Sequence, residues 1–174
     1  MKILTINKES YRKKSNLVMV GFIGCLAGLA LLFGALLIAL FGATPDIDSA
    51  STGNFHLNLI GVVLAVITSV ILINKVKTHE YFTEIMYVWH IKKLHNLIYR
   101  KFAKIKAAAE RNDVDALTIL AFYYTTQKQV FDLDNNTLTI TSVQKNLNEL
   151  YEQASAVNLT INADNFTTTL IDKF

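Results

Sequence analysis

Asp132, Asp134 and Asn136 alternate within the stretch FDLDNNTLTITSVQ, residues 131–144. Oxygen-bearing side chains at the first, third and fifth positions are how a calcium-binding loop between two helices begins. The pattern then fails chemically. The sixth position, where Gly makes the sharp turn, is Thr137, and the twelfth, where a bidentate Glu closes the cage, is Val143. A one-residue insertion brings in only the uncharged Gln144. The expectation is a polar turn closed by Asx side chains and no metal site.

The four histidines offer no alternative. His90 and His95 are five residues apart, about 140° around a helix. His79 and His90 share a face but stand about 16 Å apart along it, too far to share one zinc ion. His56 precedes an apolar run that the other three follow. The single cysteine, Cys25, excludes an internal disulfide and a cysteine cluster. The chain has no Gly-rich phosphate loop, nucleophile elbow or Ser/His/Asp spacing. These residues lead us to expect no enzyme: no catalytic residue, cofactor or metal, and no identifiable small-molecule substrate.

The elements that carry these residues are dominated by two apolar runs. Leu17 to Phe41 contains no ionisable side chain except Cys25. As a helix it is roughly 37 Å long, enough to cross a ~30 Å hydrocarbon core with some tilt. It is too long for a secretory signal, whose apolar region is about 7–15 residues, and Phe41 obstructs a cut after Ala43. Phe22-Ile23-Gly24-Cys25 resembles a lipoprotein box, but only five residues of the run precede it and the chain beyond stays apolar. Leu57 to Ile73 is also uncharged and just spans a bilayer. Mean hydropathy is +0.32. Two transmembrane helices follow.

Basic residues orient them. Five of the 17 Lys and Arg (Lys2, Lys8, Arg12, Lys13, Lys14) precede the first run, and the other twelve follow the second, beginning with Lys75 and Lys77. Positive residues stay inside, so both termini are expected on the cytoplasmic side and the connecting loop outside. Arg12, Lys13, Lys14, Lys75 and Lys77 would meet lipid headgroups. The net charge of +3 needs no nucleic acid to explain it. Gly24 and Gly28 in the first run, and Gly61, Ala65 and Ser69 in the second, repeat every four residues and would let helices approach closely. They would serve the hairpin itself or, alternatively, a homo-oligomer or a partner's helices.

The apolar pattern beyond residue 78 is helical. Val88, Ile91, Leu94, Ile98, Phe102, Ile105 and Ala109 mark one face of a helix over about 78–110. Asp113 offers an N-cap for a second helix over about 114–131, and Thr141 with Gln144 a capping box for a third, through about 156. The fold class is thus an all-α membrane protein: a two-helix transmembrane hairpin followed by a small cytoplasmic domain of three to four helices. Its segments are a basic N-terminal stretch (1–16), first span (17–41), periplasmic loop (42–56), second span (57–74), helical domain (75–157) and a tail, short helix or extended (158–174).

Taken together, INKESYRKKSN, YVWHIKKLHNLIYRK and DALTILAFYY…DLDNNTLT resemble an uncharacterised proteobacterial family of small two-span inner-membrane proteins, a domain of unknown function. The resemblance covers roughly residues 6–151. It implies the same topology and no activity, ligand or site residue.

Function follows partly by elimination. Neither apolar run carries an acid or base, so a self-contained proton pathway is not expected. The cytoplasmic part is dense in aromatics, among them Trp89, Tyr123 and Tyr124, which are favoured at interfaces. The expectation is a membrane-anchored protein-interaction module or an accessory subunit of a larger complex. The alternative is a homo-oligomeric pore or transport component with Thr68 and Ser69 on a shared axis.

Overall fold

The computed structural model describes residues 1–42 and 53–174. Its described elements are all helical, and they fall into two compact units, residues 13–83 and residues 1–12 with 84–174.

The first unit is a pair of long apolar helices, α1 (Lys8–Phe41, whose first five residues lie in the other unit) and α2 (Phe55–Val76). Both are long and apolar enough to cross a membrane. α1 begins nine residues before its apolar run, because Asn7 Oδ1 accepts from the Ser10 amide at 2.9 Å and caps the basic turns. The expected N-terminal stretch 1–16 is therefore largely helix. Leu57, Gly61, Ala65 and Ser69 form one buried stripe along α2. α2 comes close to α1 at Gly34: a Cβ on Gly61 would lie 2.7 Å from the Gly34 nitrogen. Gly24 and Gly28 lie elsewhere. A Cβ on either meets nothing within 4 Å, so the packing expected of them within the pair falls to Gly34. Residues 43–52, most of the expected loop, lie outside the described residues.

The second unit holds four helices within the expected helical domain, α3 (Thr83–Arg100, whose first residue lies in the other unit), α4 (Phe102–Ala109), α5 (Val114–Leu133) and α6 (Thr137–Ala156), and a short one beyond it, α7 (Thr168–Ile171). The single helix expected over 78–110 is divided. A 3₁₀ turn, Glu80–Phe82, precedes α3, with His79 Nδ1 accepting from the Tyr81 amide. At Lys101 the backbone leaves helical geometry (φ −112°, ψ 9°), and its ammonium donates to the Ile171 carbonyl at 2.9 Å.

α5 runs through the middle of the unit. Ala116 to Tyr123 are buried without interruption, the mark of a helix covered on all sides. Asp113 caps it as expected, its Oδ1 accepting from the Ala116 amide at 2.9 Å. The turns before α5 and α6 place Asn112 and Asn135 at positive φ, as does Asn158 after α6, where a short polar side chain tolerates the left-handed region. The expected capping box is absent: α6 starts at Thr137, so Thr141 and Gln144 lie inside it.

Both chain ends belong to this core. Phe166 is fully buried and stacks on Phe122 with ring centroids 3.9 Å apart. Ile161, Ala163 and Ile171 are buried around it. Residues 158–174 thus pack onto the core through these four side chains, and Thr168–Ile171 takes the short-helix form, one of the two expected there. At the other end the Ile3 amide donates to Asp164 Oδ1 (2.8 Å), the Leu4 amide to Tyr87 Oη (3.1 Å), and Gln129 Nε2 to the Leu4 carbonyl (2.6 Å).

Candidate functional site

α4, α5 and α6 enclose a groove of about 500 Å³. Amphipathic helices that meet at an angle leave such a gap where large side chains keep the backbones apart. Its wall is aromatic. The Tyr123 ring lies 5.5 Å from Phe102 and 5.6 Å, edge on, from Tyr124, while Tyr99 lies 6.5 Å from Phe102 at the rim. Phe131, Val143 and Leu150 continue the apolar lining, and Lys106, Glu110, Glu149 and Asn146 supply polar groups. Gln153 closes one end. It donates to the Ala109 carbonyl at 2.7 Å and to Asn112 Oδ1 at 2.9 Å, pinning α6 to the end of α4.

The tyrosines are held as neutral donors. Burial raises the Tyr123 phenol above its usual range, with Tyr99 adding to the effect, although Gln127 donates to its Oη at 3.4 Å. Burial also raises Tyr124, aided by Tyr123 and Glu149. Behind Tyr123 sits His95, 5.0 Å from its ring. Thr126 Oγ1 donates to the Phe122 carbonyl at 2.7 Å, so its 2.7 Å bond with His95 Nε2 is donated by the imidazole. His95 therefore carries a proton on Nε2. Burial, and secondarily the Lys92 ammonium, pull its pKa down to about 4.

The structure separates the three aromatics expected to meet a partner. Tyr123 and Tyr124 line the groove. Trp89, 59% exposed, stands on α3 outside it. The groove also uses Phe102, read in the sequence as part of an apolar helix face, and Gln127, Glu149 and Gln153, which the sequence did not single out. Of the lysines and arginine expected at headgroups, Lys14 lies over the Tyr81 ring at 5.8 Å and Lys77 donates to Asn74 at 2.8 Å. Arg12, Lys13 and Lys75 are exposed on α1 and α2.

The calcium-like stretch narrows to a three-residue turn, residues 134–136. Asp132 is in α5 and pairs with Lys8 at 3.0 Å, Asp134 pairs with Lys92 at 2.7 Å, and residues from Thr137 on are helical. Among the described residues, no three His, Cys, Asp or Glu side chains gather in a way that could hold a metal ion.

What remains is a groove with an aromatic wall, two phenols and charges of both signs at its edge, an arrangement with the composition to hold an amphipathic group. No curated protein and no solved structure matches the chain. A family model described as a protein of unknown function, DUF3087, matches residues 1–171, and the chain belongs to that family.

Proposed function

We propose that this chain is a non-enzymatic, membrane-anchored protein-interaction module, an accessory subunit of a larger complex in a bacterial inner membrane. In this reading α1 and α2 are the anchor and the α4–α6 groove receives the partner. The groove carries the proposal, because Tyr123, Tyr124 and Phe102 present rigid aromatic surface with little left to order on binding.

Topology supports it. Residues 1–12 and 84–174 form one compact unit, which is what a membrane hairpin with both ends on one side would require. The distribution of Lys and Arg favours the cytoplasm as that side.

A homo-oligomeric pore is the other reading. It asks Thr68 and Ser69 to face a shared axis, whereas Ser69 is only 2% exposed within the helix pair, which favours the module.

Extraction in mild detergent tests the proposal. A heterologous membrane complex should co-purify in fixed stoichiometry and dissociate in the Tyr124→Ala chain. Loss of a central aromatic contact costs at least about 2 kcal/mol, roughly thirtyfold in affinity. A pure homo-oligomer unaffected by Tyr124→Ala would contradict it.

A further inference from the structure

α3 has two opposite faces of different chemistry. Val88, Ile91, Leu94 and Ile98 are buried in the core. On the far side Trp89, Lys93, Asn96 and Arg100 fall within an arc of about 60° at 100° per residue, and all four are exposed. Leu97, 37% exposed, borders that arc. The whole stretch from Ile85 to Ala109 contains six Lys and Arg and no acidic residue. Lys92 is drawn aside to Asp134 and Lys101 to the Ile171 carbonyl, which leaves Lys93 and Arg100 beside the indole.

We propose that this face of α3 lies on an anionic phospholipid surface, with Trp89 and Leu97 among the headgroups and Lys93 and Arg100 paired with lipid phosphates. Three observations select lipid as the occupant. An indole and an aliphatic side chain next to cations, on a helix whose other face is committed to a core, is the composition of an interfacial helix. The one-sided charge complements the anionic cytoplasmic leaflet. Only residues 77–82 separate α2 from α3, a tether of at most about 25 Å between Val76 and Thr83. The last point rests on the reading of α2 as a membrane span.

The chain carries its own probes, since Trp89 is its only tryptophan and Cys25 its only cysteine. The full chain is reconstituted in nanodiscs of phosphatidylcholine, with or without phosphatidylglycerol, and in matched discs with brominated acyl chains. With phosphatidylglycerol present, Trp89 emission should shift to the blue, acrylamide quenching should weaken several-fold, and brominated lipid should quench. A Lys93→Glu/Arg100→Glu chain should lose all three effects. Trp89 open to acrylamide and unquenched by brominated lipid in both discs overturns the proposal. So does shielding from acrylamide that is independent of phosphatidylglycerol, insensitive to brominated lipid and grows with protein concentration, which would place a second copy there. Cys25 separates the two readings. If it reacts with a water-soluble maleimide in the disc, the span assignment fails. If Cys25 is shielded while Trp89 stays open, only the α3 surface fails.

Discussion

A Cβ placed on Gly61 would come within 2.7 Å of the Gly34 nitrogen, and one on Gly34 within 2.8 Å of Asn58 Oδ1. The two long apolar helices therefore touch backbone to backbone at this level. Gly61→Leu cannot be accommodated by rotamer changes, since the neighbour is main chain. It should part the helices and lower the melting temperature in detergent, with overpacking costing about 1–3 kcal/mol or more. Gly28→Leu meets open space and should leave melting unchanged. Equal melting of both variants would show that the Gly61 contact carries no weight.

Ser69 gives the converse case. Its hydroxyl is buried, and among the described residues it has no hydrogen-bond partner. A buried polar group without a partner costs about 1–3 kcal/mol. Ser69→Ala should leave melting unchanged or raise it, and a clear loss of stability would indicate a partner for that hydroxyl.

Phe166 joins the last residues to the centre of the helical unit by stacking on Phe122. Phe166→Ala should destabilise that unit by about 3–5 kcal/mol. The near-ultraviolet dichroism of the aromatic cluster would report the loss. A truly detached tail would tolerate the change.

His95 makes the unit sensitive to acid. Its folded pKa, about 4, lies below the ordinary value of 6.5. Between those values the unfolded chain takes up a proton that the folded chain refuses, so stability falls as pH drops through that window, by up to about 1.4 kcal/mol per pH unit. Above pH 6.5 the group is neutral in both states and contributes no slope. His95→Gln should flatten the profile of melting temperature against pH between about 6.5 and 4. An unchanged slope would mean that His95 does not titrate in this way.

Much of this was readable in advance because it is local. The two apolar runs, the Asp113 cap and the buried stripe Val88–Ile91–Leu94–Ile98 each follow from residue type and spacing. The break at Lys101 was hidden, since one residue leaving helical geometry does not disturb a pattern in which Ile98 and Ile105 are seven apart. The start of α6 was hidden as well. Thr137, Thr139 and Ile140 are β-branched and weak helix formers, so the helix there owes more to packing than to propensity. Tyr123 and Tyr124 stood out by aromatic density. Gln153 did not, because its role depends on a turn 41 residues away.

Orientation is tested with Cys25→Ala chains carrying one new cysteine at Ser49 or Ser142. Ser49 lies outside the described residues, and Ser142 is exposed on α6. In intact cells an impermeant thiol reagent should label the cysteine at Ser49 and spare the one at Ser142. Reversed labelling would place the helical unit on the other side and contradict the topology.

The groove is probed most directly by a photoreactive phenylalanine derivative replacing Tyr124 in the living cell. Tyr124 is half-buried in the α5 wall, so only a group entering the groove comes within reach. The account predicts one dominant adduct with a different membrane protein, absent when the same derivative replaces Leu138, which is 92% exposed. Adducts confined to copies of this chain, or the same adducts from both positions, would contradict a partner-binding groove.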